Sequence, residues 1–230
     1  LKNLAPRARS MPSVLFDVLL INGVFEWGPM NEATTCVDYS DFYKKFGRFL
    51  ASYEAALQVK MFFDGGGRRA MVCRVCHVTD HEASATPATA LKSTYMFKTA
   101  VGAYAYSDQN TLKVDALYYG TRGNDISIKI QDATNGVAGQ FDLLVYVDDV
   151  LEEWFKNLSM EDTSDTYVED VINTASSRSD WIRVTDQNIV GDEDDKRPKN
   201  YTTAMDLAGG NDGLAALADA DYVGSNAFHT

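Results

Sequence analysis

Residues 52–78 read SYEAALQVKMFFDGGGRRAMVCRVCHV, and the succession of patterns in this stretch sets the fold class. Ser52 is a natural helix N-cap, because its hydroxyl can take a free backbone N–H. Tyr53, Ala56, Leu57 and Met61 then recur at helical spacing, which predicts a helix to about residue 63 with those four near one face. Gly65, Gly66 and Gly67 end it. Residues 70–78 alternate as a strand does. A helix that stops on glycine and hands over to a strand belongs to an α/β arrangement.

The matching strand lies upstream. Residues 14–21, VLFDVLLI, read as a mostly buried strand that ends at Asn22-Gly23. Gly28-Pro29 marks a turn, and Ser40 can cap a short helix over 41–46, with Gly47 just past its end. From 79 to 110 the pattern weakens, and 82–89, with Pro87, reads as a crossing linker. Then 112–119, 125–131 and 141–147 are rich in β-branched and aromatic residues, with Gly120, Gly123, Gly136 and Gly139 between them. These predict strands. A helix is expected over 167–174, where Thr166 and Glu169 spell a capping box. Residues 180–185 read as a strand, 191–196 as a solvated acidic loop, 207–213 as a tight turn and 214–221 as a short helix.

The expected fold class is α/β (α+β): a discontinuous α/β core domain, 1–91 and 204–230, into which a β-rich α+β domain, 92–203, is inserted.

Composition narrows the function. The 230 residues are 45% hydrophobic and 23% charged, enough for a sizeable core. Lys and Arg number 21 against 33 Asp and Glu, so the formal charge is −12. Such a chain is repelled by phosphate backbones unless it carries a local basic patch, and the densest run is only Arg68-Arg69. No nucleic-acid partner and no membrane insertion are expected; the run 14–21 is short and broken by Asp17. Three cysteines imply no disulfide framework and a reducing compartment. No signal peptide is visible, and Leu1 suggests a trimmed chain.

Cys73-Arg-Val-Cys76-His77 spells the C-x-x-C-H pattern of haem attachment, and with His81 it offers four zinc ligands. Both readings need the sulfurs on one side. In a strand, residues three apart face opposite ways, so the thiols diverge and read as small buried hydrophobes. A redox C-x-x-C would want its first cysteine at a helix start. The acidic pairs Asp148-Asp149, Glu152-Glu153 and Glu161-Asp162 read as solvated faces. The run 192–195 lacks the spaced ligands of a calcium loop. Gly65–Gly67 and Gly209–Gly213 lack the spacing and the strand-to-helix setting of a phosphate loop. Neither G-x-S-x-G nor H-E-x-x-H occurs. The Asn157 and Asn200 sequons read as chance. No catalytic, cofactor-binding or metal residue is expected, and no enzyme.

Five blocks, in order, resemble the sheath protein of bacteriophage contractile tails. They are Gly28-Pro29-Met30-Asn31 with Ser40, Phe42, Phe46 and Gly47; Phe62-Phe63, the glycines, Arg68 and Arg74-Val75; and Ala116 to Gly120 with Gly123-Asn124-Asp125-Ile126. Then come Val145, Glu153, Phe155, Asn157-Leu158-Ser159-Met160, Tyr167-Val168 and Ile172-Asn173, and finally Leu207 to Gly213 with Tyr222 and Gly224. The resemblance implies a virion structural protein. Its subunits polymerise around an inner tail tube, exchange strands through terminal arms and contract by rigid-body rearrangement for genome ejection. Expected partners are other copies of the subunit, the tube protein, the baseplate and the tail terminator. The location is the virion tail, assembled in the host cytoplasm. A sheath from a bacterial contractile injection system shares this architecture. The family is longer, so a fragment lacking the carboxy-terminal region is expected. Gly65–Gly67, Gly120, Gly123, Gly209, Gly210 and Gly213 then serve as turns, and 92–203 is expected to face outward with much of the negative charge. The reading of another class is a thiol/histidine metal- or haem-binding protein using Cys73, Cys76 and His77.

Overall fold

The computed structural model describes residues 18–30, 32–51, 53–77, 90–99, 108–174, 176 and 178–223. The fold is α+β. Strand β1 (Val18–Gly23) runs parallel to β3 (Arg69–Arg74), and β2 (Thr34–Cys36) pairs antiparallel on the other side of β3. Helices α1 (Tyr39–Phe46) and α2 (Glu54–Asp64) connect them. Phe25, Phe42, Phe46, Val59, Ala70 and Val72 are fully buried between helices and sheet. Phe25 meets Phe42 edge-on at 5.6 Å and Phe46 at 5.4 Å. Each such ring contributes roughly 1.5–3 kcal/mol by burial alone.

Two antiparallel sheets follow. One orders β10 (Met205–Asp206), β6 (Ile126–Asp132), β7 (Phe141–Val147) and β8 (Val150–Leu158). The other orders β4 (Thr94–Lys98), β5 (Asn110–Ala116) and β9 (Ile182–Asp186). A second core joins them through Phe97, Leu112, Val114, Ile128, Ile130, Phe141 and Leu143, and the short helical segment at 168–174 adds Val168 and Ile172. Leu207 belongs to this core too. Among the described residues no helix is long and apolar enough to cross a membrane.

Several local expectations shift. Asp38, not Ser40, caps α1: its carboxylate accepts from the Asp41 N–H at 2.7 Å. Ser52 lies outside the described residues. In α2 the inner face is Tyr53, Ala56 and Val59, while Leu57 and Met61 stand 42% and 65% exposed. The strand read at 14–21 begins its described part at Val18. It alternates: Leu19, Ile21 and Gly23 turn toward the core, and Leu20, on the opposite face, is 67% exposed. The Thr166–Glu169 capping box does not form. Ser164 Oγ takes the Thr166 N–H, and Glu169 instead accepts from the Asp186 N–H at the end of β9. The acidic loop at 191–196 contains one helical turn, α3 (Glu193–Lys196). Residues 214–221 split into a 3-10 turn, Leu214–Ala216, and α4 (Asp219–Val223).

Candidate functional site

The segment after β1 passes between the two cores. Phe25 packs into the first, Trp27 into the second, and Glu26 between them is 2% exposed. Arg74 closes β3 and is 1% exposed. Its guanidinium donates to the carbonyls of Phe25 (2.9 Å), Gly28 (3.2 Å) and Glu26 (3.4 Å). The strand expected to reach residue 78 stops here.

Glu26 faces the other way. Its carboxylate accepts the Arg48 backbone N–H at 2.6 Å and the Arg48 guanidinium at 2.8 and 3.0 Å. Gly47 ends α1 with φ +85°, and a Cβ there would lie 2.5 Å from Glu26 Oε2. Only glycine fits both the backbone angle and the approach. Arg48 reaches on to Asp125 at 3.2 Å. Arg122 binds Asp148 through two parallel bonds, 2.8 and 2.7 Å, and Asp125 at 2.8 Å. Two arginines and three carboxylates thus bridge the two cores. The Glu26 bond, ahead of opposing burial, raises the Arg48 pKa. Burial pulls the Arg122 value down, but the Asp148 and Asp125 bonds outweigh it. The Arg122 bond holds Asp148 below the usual carboxylate range. Over this clasp lies a cleft of about 340 Å³, lined by Trp27, Tyr43, Val150 and Trp181 among others.

The last glycine block closes the far side. Asp212 accepts from Tyr53 Oη (2.8 Å), the Thr121 N–H (3.0 Å) and Thr121 Oγ1 (2.7 Å). Gly120, at φ +122°, sits so close that a Cβ would be 2.6 Å from Asp212 Oδ1 and 2.9 Å from Arg74 Nη2. Asn124 Oδ1 accepts from the Gly210 N–H at 3.0 Å and Ser93 Oγ at 2.8 Å. Polar groups here satisfy one another, and the arrangement acts as a joint that pins five backbone segments.

The thiols stand apart. Cys73 is half-buried on β3; Cys36 and Cys76 are buried. Burial pushes all three thiols up, Cys36 to about 11. His77 Nδ1 lies 3.1 Å from Asp221 Oδ2 on α4. Among the described residues no three His, Cys, Asp or Glu side chains converge as a metal site. His81 lies outside those residues. Glu26, Arg48 and Arg122 carry no local pattern that marks them. Tyr53 reads in sequence only as part of a helix face, and Asp148, expected in a solvated acidic pair, is instead held by Arg122. For Arg48 and Arg122 the signal is a neighbouring glycine, Gly47 and Gly123.

No protein-family model and no curated protein matches the chain. Solved structures do. The sheath tail protein Lin1278 of Listeria innocua aligns with a TM-score of 0.56 at 17% identity, over 85% of this chain and 34% of that one. The sheath tail protein DSY3957 of Desulfitobacterium hafniense aligns with a TM-score of 0.54 at 18% identity, over 90% of this chain and 38% of that one. The chain therefore carries, across most of its length, a fold found in little more than a third of these sheath tail proteins.

Proposed function

We propose that the chain is a structural subunit of a bacteriophage contractile tail sheath, polymerising around an inner tube and contracting by subunit rearrangement. One observation carries this reading. Residues from the resembling blocks 28–47, 74, 120–125 and 207–213, distant in sequence, meet in one network between the cores. They do so in a chain with the sheath tail fold.

A rigid-body mechanism needs a subunit that moves without shearing. The joint supplies that rigidity. In this reading 1–91 and 204–230 form one module and 92–203 an inserted one, carrying much of the negative charge outward. The subunit is not an enzyme. Its partners are further copies, the tube protein, the baseplate and the terminator. It assembles in the host cytoplasm and ends in the virion tail. A sheath of a bacterial contractile injection system is the second reading, supported by the same fold.

Electron microscopy tests the proposal, with rings or striated tubes expected. A monomer carrying stoichiometric zinc, or a visible haem spectrum, overturns it in favour of the Cys73, Cys76 and His77 reading.

A further inference from the structure

The β4-β5-β9 sheet turns Phe97, Leu112, Val114, Ile182 and Val184 inward. Its other face presents Thr94, Met96, Lys113, Asp115, Arg183 and Thr185. That face gathers Lys113 and Arg183, with Lys92 beside them, around Asp115, and Asp180 and Glu153 also lie near Arg183. Arg183 stands directly across from Asp115, but Lys113 takes Asp115 at 2.9 Å. Arg183 is left donating to the carbonyls of Ser179 and Ile182, each at 2.7 Å. Lys92, just before β4, lies over the Tyr119 ring at 5.4 Å and has no carboxylate partner among the described residues. Partial burial lowers the Lys92 pKa; Asp115 opposes this, while Arg183 and Lys113 add to it, so these charges are neighbours.

The opposite end of the same sheet is acidic. Thr111 Oγ1, at the start of β5, donates to the Lys196 carbonyl of α3. Lys196 Nζ holds Glu161 at 2.8 Å, and Ser159 Oγ holds Glu193 at 2.6 Å. These ties bring the 161–165 segment beside α3. Asp162, Asp165, Asp192 and Asp194 are exposed there, with no ion pair among the described residues. Thr111 and Asp115 are four residues apart, about 13 Å along an extended strand.

We infer that this sheet face is a contact between copies of the chain: Lys92, Lys113 and Arg183 of one copy seat against the Asp162, Asp165, Asp192 and Asp194 ridge of the next. The inference rests on the polymerising reading above. Local charge complementarity points to a like copy against the general repulsion of a chain of net charge −12, because an acidic surface that complements these cations is the chain's own. The two patches are different surfaces, so the contact is heterologous. Repeated, it closes a ring or extends a helix.

The test uses the chain, the double variant K92E/R183E and the double variant D192K/D194K, alone and mixed. Circular dichroism confirms folding, and sedimentation velocity reads assembly at low and high salt. The parent is expected to associate, and to weaken as salt screens beyond the Debye length of about 8 Å at 0.15 M. Each reversed variant alone is expected to associate at least about tenfold more weakly, and the mixture to co-assemble. Variants that associate as the parent does overturn this contact while leaving self-assembly standing. Folded variants that stay monomeric when mixed also overturn it. Co-assembly without rings or tubes by microscopy upholds the contact and sinks the sheath reading.

Discussion

Tyr53 Oη donates to Asp212 Oδ2 at 2.8 Å, joining the start of α2 to the glycine turn 159 positions later. Tyr53 is 3% exposed. Burial, then the Asp212 carboxylate, raises the phenol pKa, so it stays a donor across the working range. Tyr53→Phe removes one bond and leaves Asp212 with Thr121, so a loss of about 1–1.5 kcal/mol is expected. Asp212→Ala strands Tyr53 and both Thr121 donors and should cost about 2–3 kcal/mol. A double-mutant cycle by urea unfolding checks this; strict additivity would refute the coupling.

Gly120→Ala should be far worse than Gly66→Ala. Both glycines have positive φ, +122° and +90°. At Gly66 a Cβ meets nothing within 4 Å, so only the backbone term of about 1–2 kcal/mol applies. At Gly120 the Cβ also strikes Asp212 and Arg74, both fixed. Thermal melts should show Gly66→Ala folded and Gly120→Ala strongly destabilised or insoluble.

The β7–β8 turn offers an internal contrast. Asp148 and Asp149 have φ of +49° and +63°, angles that favour glycine or asparagine. Asp149→Gly should stabilise by about 0.5–1 kcal/mol. Asp148→Gly relieves the same strain but deletes the paired bonds to Arg122, and should be net destabilising. Equal effects at the two positions would refute a role for the clasp.

Acid should loosen the clasp and the polar ties of β7 together. Asp148 is held low by Arg122. Asp142 is held low too: burial raises it, but bonds from Thr134, Asn157 and Trp154 prevail. Folded values below the unfolded one give stability present above about pH 3.9 and lost as pH falls through the folded values. The urea midpoint should therefore drop below about pH 4, and Asp148→Asn should flatten that drop. An unchanged slope in the variant would refute the assignment.

The two-module reading has its own check. Arg74→Met removes three carbonyl contacts from a side chain 1% exposed. Three buried carbonyls then lose their partner, an expected loss of about 3 kcal/mol or more. Hydrogen exchange should rise first at the 25–28 segment, not within the β6–β7 ladder.

Local code determined much of this protein. The β7 strand matches the expected 141–147, and α1 and α2 end on the glycines that sequence marked. Periodicity and chain stops act within a few residues, so a linear reading captures them. The strands β4 and β8 were missed as separate elements for the same reason. Neither alternates cleanly, and both owe their form to a neighbouring strand. The clasp and the cationic end of the β4-β5-β9 sheet lay further out of reach. Arg48, Arg122 and Asp148, or Lys92, Lys113 and Arg183, make no motif in the chain. They become one site only when strand register and core packing bring distant segments within hydrogen-bond or Coulomb range, where interaction falls off over ångströms rather than residues.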